Sequence, residues 1–404
     1  MKALIAIDSF KGSCTSGQAC RFAAEGLRRV YPQASIGCLP VADGGEGTVD
    51  ALVAARGGRQ LVVSACDPLG RPIQAACGVL PDGVGVMEMA AASGLPLLRP
   101  EERNPLVTST YGTGQILRAL LDAGCREILI GVGGSATNDA GMGMAQALGA
   151  RFFDADGSEL GPGGLELGRL ERLDFSGLDP RLQDCRLCVL CDVDNPLCGP
   201  HGATMTFSAQ KGAAPAQQER LEAALSRFAD IAARDLGKEV RAWPGGGAAG
   251  GLGAMLCLLG GEICPGIDAV LDALHFEQQL DGCTLVITGE GRLDGQSAHG
   301  KVPAGVARRA KQAAGLPVFA LAGGIGDGAQ ALYDCGVDAF LSICSRPMPL
   351  EEWPCQVLFA KRGPVIWDQA AICSVASMDS WLRYALETNQ SSAYSIRYVV
   401  TSRT

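Results

Sequence analysis

Three short apolar runs near the start of the chain and three near its end constrain the fold most. They cover residues 2–8, 35–41 and 60–65, then 284–288, 317–322 and 339–344. Each has the length of a strand rather than of a helix. Helical patterns at 16–30, 303–314 and 327–334 lie between them, the first with Thr15 or Ser16 as its N-cap. Strands alternating with helices build parallel sheets. Between the two sets lies an interruption, residues 67–282, far too long for a loop. It has strand patterns of its own at 85–89, 127–132 and 187–191, and helical ones at 109–123, 140–148, 216–235, 248–259 and 267–280. The expected fold class is α/β: a Rossmann-like doubly wound parallel sheet interrupted by a large inserted mixed α/β domain. Its parts are residues 1–66 plus 283–350, the insertion 67–282, and an atypical tail 351–404. A cleft between two such domains is where ligands bind.

Composition narrows the function. A formal charge of −9 over 404 residues argues against a nucleic-acid surface, which needs a basic patch. The apolar run after Met1 is too short for a signal peptide and is interrupted by Asp8. No uncharged apolar run reaches the ~18 residues of a membrane helix. A soluble, cytoplasmic protein is expected, its 17 cysteines reduced rather than paired. Cys185, Cys188 and Cys191 have metal-like spacing, but a strand pattern there points neighbouring thiols to different faces. Core thiols are the better reading.

The chemistry-bearing residues cluster after the strand-like runs. Thr288-Gly289-Glu290-Gly291-Arg292-Leu293-Asp294 leads through Gly295 to Gly300-Lys301, which reads as strand, Gly-rich loop and helix. Glycine N–H groups and a helix N-terminus favour phosphate, and carboxylates on the loop favour Mg²⁺. The G-x-x-x-x-G-K stretch is followed by Val302, so it lacks the hydroxyl of a P-loop. Asp8-Ser9-Phe10-Lys11 and Asp43-Gly44-Gly45-Glu46 follow the first two runs. Asp192-Val193-Asp194-Asn195 follows the run at 187–191. Gly131-Val132-Gly133-Gly134-Ser135-Ala136 fits a dinucleotide fingerprint, with Asp154 and Asp156 further on. That keeps an NAD-dependent hydroxy-acid dehydrogenase as an alternative. A nucleotide-binding regulator without catalysis is a third.

Taken together, segments 8–13, 40–48, 131–139, 191–197, 247–253 and 288–301 resemble the bacterial glycerate kinases of type I. The resemblance implies phosphorylation of D-glycerate to 2-phosphoglycerate with ATP and Mg²⁺. A kinase for another small hydroxy acid is the near alternative, and a homo-oligomeric state is left open. Under the logic of phosphoryl transfer, Asp192 or Asp194 is the expected base, with Lys11 also catalytic. Asp8, Ser9, Arg71, Asn138 and Arg292 are expected at the substrate, with Arg71, Lys11 or Arg292 on its carboxylate. Gly133, Gly134, Ser135, Gly289, Gly291 and Lys301 are expected at the phosphates, and Asp43, Glu290 and Asp294 at the metal. Which side of the cleft holds which substrate stays open. The resemblance stops near residue 350, where Trp353-Pro354 interrupts a helix start, so the tail reads as foreign or lineage-specific.

Overall fold

The structure, a computed structural model, describes residues 1–344, so the expected tail and the last residues before it lie outside the described residues. The strands are β1 (Lys2–Ile7), β2 (Ser35–Cys38), β3 (Arg59–Cys66), β4 (Pro72–Val79), β5 (Gly85–Glu88) and β6 (Glu127–Gly131). They continue with β7 (Arg151–Phe153), β8 (Arg172–Asp174), β9 (Arg186–Leu190), β10 (Glu262–Cys264), β11 (Leu285–Leu293), β12 (Val318–Ile325) and β13 (Ala339–Ser342).

Two sheets organise this mixed α/β fold. The first is wholly parallel in the order β13-β12-β11-β1-β2. The second runs β10-β9-β6-β5-β4-β3, parallel from β10 to β5 and antiparallel across β4 and β3. A separate antiparallel ribbon pairs β7 with β8.

The run at 60–65, expected in the first sheet, is instead the edge strand β3 of the second. The cause is local. In the turn after it, Asp67 accepts N–H bonds from Leu69 and Arg71 at 2.9 Å each. A turn this tight makes a hairpin with β4, and a parallel crossover needs a far longer connection. A second correction concerns the glycine-rich segment after 288. Gly289, Glu290, Gly291 and Arg292 belong to β11, which pairs with β12 as far as Leu293↔Ile325. A side chain on Gly289 would overlap the Leu321 carbonyl, so glycine there serves a close strand contact. The helix expected over 267–280 is two pieces, Gly266–Ala273 and Phe276–Gln279, separated by His275 at φ 51°.

Helix Ser16–Val30 starts with a capping box between Thr15 and Gln18. Its Ala19, Cys20, Ala23 and Leu27 cover the outer face of the first sheet. The other face, with Leu4, Val286 and Ala320, packs on helix Val302–Ala314. The same apolar cluster contains Val86, Leu129 and Leu190 of the second sheet and Ile267 and Leu271 of helix Gly266–Ala273. One helical layer is therefore shared by both sheets. Helices Tyr111–Asp122 and Ala248–Leu258 cover the second sheet's far side.

At the centre of the shared layer, Gly305 leaves room for Ile267, whose side chain a Cβ at 305 would overlap. Alanine would gain about 1 kcal/mol of helix propensity. It would cost about 1–3 kcal/mol in overpacking. Gly305→Ala is expected to lower the urea midpoint, whereas a raised midpoint would show that the layer yields.

Candidate functional site

Numbered along the chain, the first sheet has the order 2-1-3-4-5, so its connections reverse direction between β1 and β11. Such a reversal opens a crevice at the carboxyl ends of the two strands. The register pairs Ile7 with Gly289, and the Asp8 N–H donates to the Gly289 carbonyl at 2.9 Å. Asp8, just past β1, and Glu290, inside β11, thus lie side by side, both buried. The Ser16 hydroxyl donates to the Ile7 carbonyl at 2.5 Å and accepts from the Val41 N–H at 2.9 Å. This one side chain draws the segment after β2, with Asp43, toward the end of β1.

The loop after Asp43 presses on the second sheet. A Cβ on Gly44 would lie 2.6 Å from that of Leu190, at the end of β9. Glu88, at the end of β5, accepts the Val49 N–H at 2.9 Å and so anchors the first turn of helix Thr48–Arg56. Gly266 sits against the Asp43 carbonyl where no side chain would fit, and its N–H donates to Asp192 at 2.8 Å. Residues from β1, β2, β9 and β11 therefore meet at one place.

The electrostatics follow from that crowding. Burial pushes the Asp8 carboxyl up to about 7; Asp43 adds to the rise and Lys11 opposes it. Asp192 has much of its surface open to water, yet its carboxyl is packed closely enough for desolvation to lift it to about 6. Asp43 and Asp268 raise it further, while the Gly266 N–H and Lys301 oppose. Glu290 is raised chiefly by burial, against the donated Ser297 hydroxyl and the Lys301 ammonium 4.0 Å away. Acids that raise one another favour a bound cation, a captured proton, or both.

The remaining expected residues are less gathered. Asp194 is exposed, and it is not among the largest influences on Asp8, Asp192 or Glu290. Ser9 follows Asp8, donating its N–H to that carboxylate at 2.6 Å, and Lys11 is exposed beyond it. Arg71 already spends its donors on Asp67 at 2.5 Å, Glu102 at 2.8 Å and the Leu97 carbonyl at 3.3 Å. The structure leaves it little to offer a substrate carboxylate. Arg292 is exposed beside an open hollow shared with Gln296, His299 and Asp327. Asp294 caps the turn Gly295–Ala298 through the Gln296 N–H and lies 3.5 Å from Arg292. Gly291 is next to Phe10, and Lys301 is the N-cap of helix Val302–Ala314.

On the second sheet, Gly133 and Gly134 form an exposed turn after β6. Ser135 behind it is buried, and so is Asn138, which donates to the Thr204 hydroxyl at 3.0 Å. The dinucleotide reading fails on topology. Asp154 follows β7, which pairs with β8 in a ribbon separate from the second sheet, and its carboxylate binds Arg169 at 2.5 Å and its own turn. No βαβ unit carries it. Cys185, Cys188 and Cys191 are buried thiols. Among the described residues, no three His, Cys, Asp or Glu side chains converge as a metal cage.

Sequence reasoning missed Glu88, Ser16 and Gly266. Glu88 had a signal, an acid closing the apolar run at 85–89. Ser16 and Gly266 had none, since each acts on a partner distant in sequence.

The comparisons with known proteins agree with this arrangement. A model of the "Glycerate kinase family" matches residues 3–356. A protein of Halalkalibacterium halodurans named glycerate kinase is 47% identical over 94% of this chain and 98% of its own. Escherichia coli glycerate 2-kinase is 46% identical over 87% of this chain and 93% of its own. A solved structure named as a glycerate kinase 2 of Salmonella typhimurium LT2 superposes with a TM-score of 0.83 at 43% identity. It covers 93% of this chain and 100% of that one. The chain belongs to the glycerate kinase family and is a phosphotransferase.

Proposed function

We propose that this kinase transfers the terminal phosphoryl group of ATP to the 2-hydroxyl of D-glycerate, giving 2-phosphoglycerate and ADP. The supporting observation is Asp192, fixed by the Gly266 N–H at 2.8 Å where the ends of β1, β9 and β11 meet. Asp192 takes the proton of the attacking hydroxyl, whose oxygen forms the new bond to phosphorus as the bond to ADP breaks. Asp194 lies two residues on, outside the acid cluster, and is the lesser candidate. Asp8 and Ser9 orient the substrate hydroxyls. Lys11 and Arg292 face the glycerate carboxylate and the developing charge, Arg being suited to a bidentate grip.

The exposed Gly133–Gly134 turn, Ser135 and Lys301 meet the nucleotide phosphates. Asp43 and Glu290, with Asp294 nearby, suit Mg²⁺, which needs only one or two carboxylates when phosphates complete its shell. Bound there, it would neutralise charge on the phosphates and relieve the repulsion among these acids. In this reading the first sheet is the Rossmann-like part and the second the inserted α/β part. The first boundary then falls before Arg59 rather than at 66, because β3 pairs in the second sheet. A cytoplasmic location suits a chain of 17 cysteines read as reduced thiols.

Incubation with D-glycerate, ATP and Mg²⁺ is expected to give the phosphorus NMR signal of 2-phosphoglycerate. A 3-phosphate, or no product from folded protein, would refute the assignment. Asp192→Asn is expected to lower kcat by roughly 10²- to 10⁴-fold, the range for a general base. If Asp192→Asn and Asp194→Asn both keep wild-type turnover, neither residue is the base. A base works ionised, so kcat should fall as pH drops through about 6. A flat profile from pH 8 to 5 would count against Asp192.

Asp8 gives a stability test. Its folded pKa is raised to about 7, so folding favours the protonated form. Stability is therefore lost as pH rises from the unfolded value near 4 toward the folded value near 7, and levels off above it. Asp8→Asn is expected to raise Tm at pH 8, reflecting a stability gain on the order of 4 kcal/mol at most. The gain should shrink toward pH 4, where the wild-type carboxyl is protonated in the fold. An equal gain at both pH values would mean that charge is not the cause.

A further inference from the structure

Lys211 is a charged side chain that no step above uses. It is 1% exposed, and its ammonium donates to the Thr137 carbonyl at 2.7 Å. The charge facing it is Asp139, which is wholly buried. That carboxylate accepts N–H bonds from Thr110 at 2.8 Å, Gly141 at 3.2 Å and Gly143 at 3.3 Å, and the Thr110 hydroxyl at 2.9 Å. Burial pulls the Lys211 ammonium down to about 7, against the attraction of Asp139. Burying an ammonium is costly, so a fold that keeps one here gains something specific from it.

The segment it grips shows strain. The Thr137 hydroxyl and the Asn138 amide oxygen are buried with no partner. Ala140 follows at φ 51°, its N–H donating to the Gly250 carbonyl at 3.0 Å. In the strand of chain that crosses it, Ala249 sits at φ 52°. Non-glycine residues hold such conformations only when their surroundings impose them. A few residues earlier in the same segment is the exposed Gly133–Gly134 turn. A Cβ on Gly133 would lie 3.3 Å from the Gly45 Cα, so the turn abuts the loop that carries Asp43.

We propose that Lys211 is a positioning residue: its buried ammonium, bound to the Thr137 carbonyl and facing Asp139, sets the path of residues 135–140 and thereby the shape in which the Gly133–Gly134 turn meets the phosphates of a nucleotide. This rests on reading that turn as phosphate-binding. Lys211 never touches the ligand. Its influence runs through the backbone, so its loss weakens binding at the turn more than it slows the chemical step.

The test uses the full-length enzyme with Lys211→Met and Gly133→Ala. ATP affinity is read by calorimetry, and both KM values and kcat by steady-state assay. Both variants are expected to weaken ATP binding by about tenfold, the scale of a small misplacement of binding groups. Lys211→Met should leave the KM for D-glycerate within about twofold. A merely structural lysine would lower Tm and the active fraction, leaving the ATP affinity of the folded protein unchanged, and that result overturns the proposal. So does an effect of the two variants on different substrates. If Lys211→Met does not fold, Lys211→Gln, which keeps a donor for Thr137, takes its place. If neither folds, Lys211 is a core residue and the proposal falls. Absence of glycerate turnover in the wild-type enzyme would sink the functional reading alone, since ATP affinity still reports on the turn.

Discussion

The arrangement depends on a close approach of backbone to backbone. The loop from Asp43 to Gly47 runs between the two sheets, with Leu190 beside Gly44 and the Asp43 carbonyl against Gly266. Side chains at 44 or 266 would force the sheets' edges apart. Because they are absent, the Gly266 N–H reaches Asp192 while Asp43 stays within electrostatic reach of Asp8, Asp192 and Glu290. The candidate site is thus made by an absence of volume as much as by the charged groups.

The same closeness has an energetic cost. Desolvation and mutual repulsion raise three carboxyls above their usual range, against the positive charges of Lys301 and Lys11. A chain selected for stability alone would not collect acids at the end of a buried strand. Functional sites commonly sacrifice stability in this way. The ordinary interior, by contrast, is well satisfied: few buried side-chain polar atoms among the described residues lack a partner, and two of those are Thr137 and Asn138, beside Lys211.

Much of the architecture was legible because apolar strand runs and capped helices are local signals. Helix Ser16–Val30 matches its pattern end to end, since Thr15 and Gln18 write its start into the sequence. What was not legible was partnership. The pattern at 60–65 says strand but not which sheet, and only the short turn at 67–71 hinted at a hairpin. The segment with Gly289 and Gly291 looked like loop because a strand that needs glycine for close contact, as at 289, has the same composition as a phosphate loop. At the candidate site, Asp192 and Asp194 were equivalent in sequence. The Gly266 N–H, many residues away, separates them. Arg71 suits a bidentate grip on a carboxylate by residue type, and the fold turns its donors to Asp67 and Glu102, neither of them marked as its partner in the sequence.

The helical layer common to both sheets limits how such a molecule can move. Val302, Val306 and Ile267 belong to one apolar cluster with Leu4 on one side and Leu190 on the other. Swinging the sheets apart as rigid bodies would expose that cluster to water, and close-packed interiors resist such separation. The exposed residues beyond the strand ends, Lys11, Glu46, Gly133, Gly134 and Arg292, lie outside that layer. A change of shape that keeps the layer packed is confined to such rim residues, with the pitch of each loop set by the strand beneath it.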